Sequence, residues 1–338
     1  NNKQRKNMNN FKKIGMTALA ASLVSTSVFA GELTASGSAS VTAEGWNGTD
    51  LNKERGLSMA DSVVLSGSTE LDNGMTVSMS FELDSDNDDN SSYDDKSVTI
   101  ASDTLGTFKF SGHGGSTAAS AMDATAAGDI WDNFDGVGNG GTGVLVSAAE
   151  GGNNSIFYTL PSLVDGLAVT ASYRPAGSTT VAADNASATG YGITYTGVEG
   201  LSVSYGVANK ETGVATTSGD QTVMKASYAY GPVTASYSSN DYDIASTANN
   251  NSDQETTSWA VSYTVSDAIS VTYGEETIDT GNVTSGSEID AEYSGITAAY
   301  TAGGMTITAK MMEGDNNAHS TDNDEDLEYW SLGLSFAF

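Results

Sequence analysis

The sequence predicts an all-β fold, a transmembrane antiparallel β-barrel of sixteen strands, on three observations. Apolar and polar residues alternate with period two along almost the whole chain. Short turns and long polar connections follow one another in strict rotation. The chain ends on an aromatic alternating segment, with Trp330, Leu332, Leu334, Phe336 and Phe338 on one face.

The alternation is clearest where one set is wholly apolar. Met75, Val77, Met79, Phe81 and Leu83 interleave with Thr76, Ser78, Ser80 and Glu82. Leu33, Ala35, Gly37, Ala39, Val41 and Ala43 interleave with Ser, Thr and Glu. Similar sets are Leu167/Val169/Ala171/Tyr173, Leu201/Val203/Tyr205/Val207, Ile269/Val271/Tyr273 and Met305/Ile307/Ala309/Met311. A strand with lipid on one side and a polar lumen on the other has this signature, and its mean hydropathy is low for a membrane protein. Pro is scarce (3 residues) and Gly abundant (38), as long strands joined by many turns require.

The connections supply the count. Short turns are read at 72–74, 104–106, 161–165, 197–200, 231–232, 266–267 and 302–304. Asn-Gly, Gly-Pro and Gly-Gly are their turn chemistry. Long loops are read near 45–57, 84–95, 112–153, 174–187, 209–220, 239–255, 275–289 and 313–326. Seven turns on the periplasmic side and eight loops on the extracellular side join sixteen strands, an even number. A soluble β-sandwich also alternates, but it does not account for this rhythm. Nor does it account for aromatics at strand ends, Tyr158, Tyr173, Tyr195, Tyr205, Tyr237, Tyr273 and Tyr300, which fit an interfacial girdle.

Residues 1–30 are read apart from the barrel. Lys3, Arg5, Lys6, Lys12 and Lys13 precede the apolar run Ile14–Val24, and Val28-Phe29-Ala30 has the small residues a signal peptidase accepts. A secretory signal cleaved after Ala30 is expected, with 1–7 an upstream extension before Met8 and 31–338 the single barrel domain. The full sequence has 13 basic and 43 acidic residues. Without the signal eight basic residues remain against the same 43, a net charge of −35. That balance excludes nucleic acid as a partner, since nucleic-acid binders carry basic stripes. With 15 Tyr, 9 Phe and 4 Trp the chain is not a disordered polyanion, and with no Cys it has no disulfide framework.

The longest loop, Gly112–Asn153, carries Asp123, Asp129, Asp132 and Asp135 among Ile130, Trp131 and Phe134. Carboxylates interleaved with apolar anchors are the expected lining of a pore constriction, with Trp131 and Phe134 holding the loop to a wall. By strand alternation Glu44, Glu70, Glu82, Lys109, Lys225 and Lys310 face the lumen, and Lys53 and Arg55 close the first long loop. Few positive and many negative lining groups favour cations.

Asp84, Asp86, Asp88 and Asp89 form a candidate site for calcium, whose ligands are hard oxygens, although the Gly and Glu of an EF-hand loop are missing. No cofactor is otherwise expected. The acidic run at 322–328 is a second candidate for divalent bridging, to other loops or to lipopolysaccharide phosphates. Gly138–Gly143 matches a dinucleotide fingerprint in letters only, with no strand leading into it and no helix after it. An outer-membrane hydrolase would need a nucleophile and base; the chain has two His and no Gly-x-Ser-x-Gly elbow, leaving only His113 near Ser111 and Ser116. A surface anchor or adhesin would carry one large appended domain, whereas these loops are modest and evenly spread.

The segments Leu65–Met75, Leu105–Phe110 leading into the long loop, and Tyr329–Phe338 resemble, in order and spacing, the general porins of Gram-negative bacteria, especially the Rhodobacter type of the α-proteobacteria. The resemblance spans residues 31–338. It implies a homotrimer in outer-membrane lipid and lipopolysaccharide, with one diffusion pore per subunit for small hydrophilic solutes and a third loop folded inward. The terminal Phe338 is similar to the signal read by the barrel-assembly machinery. Porins of this kind set Arg and Lys across from the acidic loop, and here that cluster is thin. Ala35, Gly37, Ala39 and Ala43 would suit close packing between barrels.

Overall fold

A computed structural model describes residues 33–47, 55–84, 94–135, 137, 152–176, 187–212, 218–244, 253–280, 289–319 and 326–338. The proposed signal segment, Lys53, Asp86, Asp88, Asp89 and the Gly138–Gly143 run lie outside these residues, as does the side chain of Arg55.

Sixteen strands follow one another: β1 (Leu33–Asn47), β2 (Arg55–Glu70), β3 (Thr76–Asp84), β4 (Lys96–Ser102), β5 (Gly106–His113), β6 (Ser155–Thr159), β7 (Leu167–Arg174) and β8 (Ser187–Tyr195), then β9 (Leu201–Glu211), β10 (Gly219–Tyr230), β11 (Val233–Ile244), β12 (Gln254–Ser266), β13 (Ile269–Thr280), β14 (Ala291–Ala302), β15 (Met305–Asp315) and β16 (Leu327–Ala337). Each pairs antiparallel with its neighbours in sequence, and β1 pairs with β16, so the sheet closes and no edge is left. No helix among the described residues is long and apolar enough to cross a membrane; crossing falls to the strands, whose backbone groups are satisfied by the ladder.

Alternation sets the faces. In β13, Gly274, Glu276 and Ile278 point inward and are buried, while Val271, Tyr273 and Glu275 point out. The outer face carries exposed apolar side chains all round, among them Val41, Met59, Val63, Met79, Phe108, Phe110, Ile193, Val203, Trp259, Ile296 and Leu332. In a soluble protein so continuous an apolar surface would be untenable; against lipid it is what the fold needs. Tyr195 and Tyr300 lie close to the turns, as a girdle predicts, but Tyr205, Tyr237 and Tyr273 sit several residues in from them.

The closing seam explains two glycines. A Cβ on Gly37 would stand 2.5 Å from the Phe338 ring, and one on Gly45 would stand 2.8 Å from Trp330 Nε1. Aromatic rings of β16 thus lie over glycines of β1, while Phe338 exchanges backbone hydrogen bonds with Gly37 of 2.8 and 3.0 Å. Gly37 is therefore covered by its own chain.

Several strands run further than alternation alone implied. β13 reaches Thr280, where the sequence reads as loop from 275, and β9, β11 and β15 also extend into segments read as loop. Their upper ends carry polar residues on both faces, so the two-sided contrast fades before the ladder ends.

Candidate functional site: an inner loop held on the barrel wall

The connection from β5 to β6 does not stay outside. From Thr117 to Asp135, and again at Val137, it runs along the inner wall, and the wall is cut to receive it. Cβ atoms on Gly190, Gly192 and Gly206 would meet backbone of Ala118 or Ala119 at 3.0 to 3.3 Å, and one on Gly192 would overlap Met122 at 2.2 Å. One on Gly274 would fall 2.5 Å from the Ala127 Cβ. Strand-interior glycine normally weakens a sheet; here it marks where a second backbone approaches closely. Gly274→Val should lift the loop at Ala127 and destabilise its docking by about 1–3 kcal/mol, the usual range for overpacking. Faster proteolysis within 117–137 in the folded barrel would register it.

Inward hydroxyls and amides then fasten the loop backbone. Ala118 N donates to Ser172 Oγ (2.8 Å), Ala126 N to Ser238 Oγ (2.8 Å) and Ala127 N to Ser258 Oγ (3.0 Å). Glu276, 2% exposed, accepts from Trp131 N at 3.0 Å with one oxygen and from the Thr125 hydroxyl with the other. Trp46 Nε1, reaching in from β1, donates to Asn133 O at 2.8 Å. Asn317 Nδ2 donates to Phe134 O (3.2 Å) and Val137 O (2.9 Å). A polar side chain of the wall, or Asn317 of the 3-10 turn Asn317–His319 after β15, is satisfied here by an otherwise orphaned loop amide or carbonyl.

The apolar anchor is a 3-10 turn, Ile130–Phe134. Ile130 and Phe134 are fully buried with Ile278, Tyr293, Met312, Leu327 and Tyr329. Phe134 meets the Tyr293 ring at 5.3 Å and the Tyr329 ring at 6.2 Å between centroids. Of the two anchors expected from sequence, Phe134 fills that role completely; Trp131 is only partly buried at the cluster edge, and Ile130 takes the second deep position.

The four loop aspartates differ in their surroundings. Asp123 is partly buried and accepts from Gln221 Nε2 at 3.2 Å. Burial pushes its carboxyl above the ordinary range, against the pull of that hydrogen bond. Asp129 is engaged locally: it sits at φ 54° before the 3-10 turn and accepts from Thr125 N at 2.9 Å. Asp132 and Asp135 are exposed. Desolvation by the surrounding protein, then repulsion from Asp129 and Asp135, raises Asp132 against the pull of Lys310.

The lysines are arranged in an unexpected way. Lys225 Nζ donates to Ala124 O at 2.6 Å and Lys310 Nζ to Asn133 Oδ1 at 3.4 Å. Both reach the underside of the loop instead of forming a positive wall across from it. Lys109 stands on β5, lining a small cavity with Ser80, Glu82, Asp95, Ser97 and His113. Glu82 accepts from Ser62 Oγ at 2.5 Å, and Glu44 from Tyr329 OH at 3.0 Å. Glu44, Lys310, Ser40, Thr42, Ser58 and Ser331 line a second cavity, open to the lumen, of about 370 Å³. Glu70 ends β2 beside the periplasmic turn, away from the loop, and Asp84 ends β3. Glu276 and Gln221, the side chains that fix the loop, were not among the residues singled out from sequence. The inward parity of β10 and β13 was the only signal available. The Nδ1 of His113 has no hydrogen-bond partner, and its close neighbours are Asp94 and Asp95, not a serine hydroxyl.

A closed barrel with an apolar exterior, a hydroxyl-lined interior and a loop folded inside against its wall defines a water-filled transmembrane channel of the outer-membrane kind. A family model described as Gram-negative porin matches residues 15–319, and the chain belongs to that family. No curated protein matches it in sequence. Among solved structures it is similar to an anion-selective porin from Comamonas acidovorans, at 16% identity and TM-score 0.67 over 91% of this chain and 99% of that one. It is similar also to Salmonella typhi OmpF in complex with daunomycin, at 12% and 0.68 over 91% and 98%. A mutant Rh. blastica porin matches at 14% and 0.62 over 91% and 100%. At these identities the structures share the fold. The chain is thus an outer-membrane channel for passive diffusion of small solutes.

Proposed function

We propose that the channel prefers cations, with the inner loop as its constriction. One observation carries this: Lys225 and Lys310 are bound to the loop's own oxygens, so among the described residues they form no separate positive wall against the exposed carboxylates of Asp132 and Asp135. Lys109, on the far side, shares its cavity with Glu82 and Asp95. A low-dielectric rim focuses such a field into the lumen. The fold alone sets no sign, since a porin of the same fold is anion-selective.

Reversal potentials across planar bilayers in a potassium chloride gradient test the reading. Cation preference is expected to fall several-fold in the triple variant Asp123→Asn, Asp132→Asn, Asp135→Asn; chloride as the more permeant ion in the wild type would overturn it. The pH dependence has a definite sign. Asp123 and Asp132 hold their protons to higher pH than a free aspartate, so as pH falls, negative charge disappears from the constriction first there. Selectivity should begin to decline above the ordinary aspartate range, near pH 4, and the Asp123→Asn, Asp132→Asn double variant should lose that early part of the decline.

A homotrimer accords with the outer face of β1 and β2. Ala35, Ala39 and Ala43 stand on that face of β1, and such small side chains let a neighbouring barrel approach closely. Three equal conductance steps per insertion, with a heat-dependent change in gel mobility, are expected. Absence of any conductance would favour an anchor. Removal of residues 1–30 during export, assembly through Phe338, and calcium bridging by Asp84 with its neighbours belong to the same proposal.

A further inference from the structure

We propose that Asp94, Asp95 and His113 form a binding site for a divalent first-row transition cation, with zinc as its probe, at the root of the inner loop. The three residues come from two connections that meet on the lumen wall. β3 continues to pair beyond β4, Glu82 N to Asp95 O at 2.7 Å and Asp94 N to Glu82 O at 3.1 Å, which fixes both aspartate backbones. Opposite them β5 ends at His113, where the register shifts between Lys96 and Ser97. A bulge of this kind re-aims a side chain at the rim of a barrel.

The local shape leaves room for a carboxylate. Gly114 has φ +64°, and a Cβ there would lie 1.6 Å from Asp95 Oδ1. Glycine thus satisfies the backbone and vacates the space the carboxylate occupies. His113 Nδ1 lies 3.6 Å from Asp94 Oδ1 and 3.6 Å from Asp95 Oδ1. One ligand atom from each residue falls within 4.8 Å of the other two. These separations are too long for hydrogen bonds. They match the edge of a coordination polyhedron, about 3.4 Å for two ligands each about 2.1 Å from a tetrahedral zinc.

The nitrogen supplies the second, independent observation. Nδ1 is shut off from solvent and has no hydrogen-bond partner, a costly state for a ring nitrogen aimed between two carboxylates. Lys96, paired with His113 across the ladder, and Lys109 line the same small cavity and are the positive charges described there. An imidazole among carboxylates suits zinc, copper or nickel over calcium or magnesium, whose preferred ligands are all oxygen. This separates the site from the calcium expected at Asp84 and its neighbours. Three protein ligands leave a coordination position for water, so the ion should exchange.

Zinc titrated by calorimetry into the folded, chelator-treated full chain tests the proposal. One zinc per chain is expected to depend on His113, with His113→Gln and Asp95→Asn each weakening it at least about tenfold, since even outer-shell changes cost that much, and with His319→Gln binding as wild type. Calcium should not compete. Should the variants lose the heat-dependent gel shift of a folded barrel, zinc-edge absorption on the unaltered chain decides: an imidazole nitrogen in the shell upholds the site. An oxygen-only shell, equal binding by His113→Gln, or no binding to the wild type in the high-micromolar range would overturn it. The last result would mean that the three side chains serve only one another.

Discussion

Glu276→Ala is expected to release the inner loop from the wall and to raise single-channel conductance, with added flicker. The 2%-exposed carboxylate serves one oxygen to Thr125 and the other to Trp131 N, on either side of the bend at Gly128 and Asp129. Alanine leaves both donors without a partner, and each unsatisfied buried group costs about 1–3 kcal/mol. Water entering from the lumen would recover part of that, so a loss of about 2–4 kcal/mol in loop docking is the expected scale. Glu276→Gln keeps an acceptor for one donor and should fall between. Conductance and proteolytic protection identical to wild type would show that the loop does not depend on this clamp.

Phe134→Ala is expected to loosen the later half of the loop to a similar or greater degree. The ring is fully buried and packs on Tyr293 and Tyr329 with Ile130 and Ile278 around it. Replacing a buried Phe by Ala typically costs about 3–5 kcal/mol. The loss should appear in the docking of the loop and not in the barrel, whose ladder is closed without it. Hydrogen exchange at the amides of 130–135 should accelerate markedly while the temperature of the gel-mobility transition holds nearly constant. A large fall in that temperature would mean the anchor also braces the barrel.

Alternation in the sequence recovers the sixteen strands and their faces, though not their full lengths, because a lipid side and a water side impose opposite chemistry on successive residues. The inward parity of Lys225 and Lys310 followed from it, yet their partners did not. Ala124 and Asn133 are far away along the chain and are reached only through the loop's path. Glu276 was hidden for another reason. After Gly274 the residues Glu275-Glu276-Thr277 are polar on both faces and read as loop, although the ladder continues to Thr280. The grouping of His113 with Asp94 and Asp95 depends on the bulge opposite His113, which leaves no mark in composition. Wall glycines such as Gly192 and Gly206 could be seen as strand-interior glycine, but not what came close to them.

The loop's fastenings described above span most of the circumference, from β7 round through β16 to β1. The shorter arc from β2 to β5 is left to face the stream of solute with its own side chains. The cylinder therefore divides its labour unequally: the larger arc is a mount and the smaller a working surface. For anyone reshaping the bore, Ser62, Ser80, Thr99 and Lys109 are the accessible dials, to be turned without unseating the element opposite. Substitutions on the mounting arc would instead alter size, charge and gating together, and their effects could not be assigned to any one of the three.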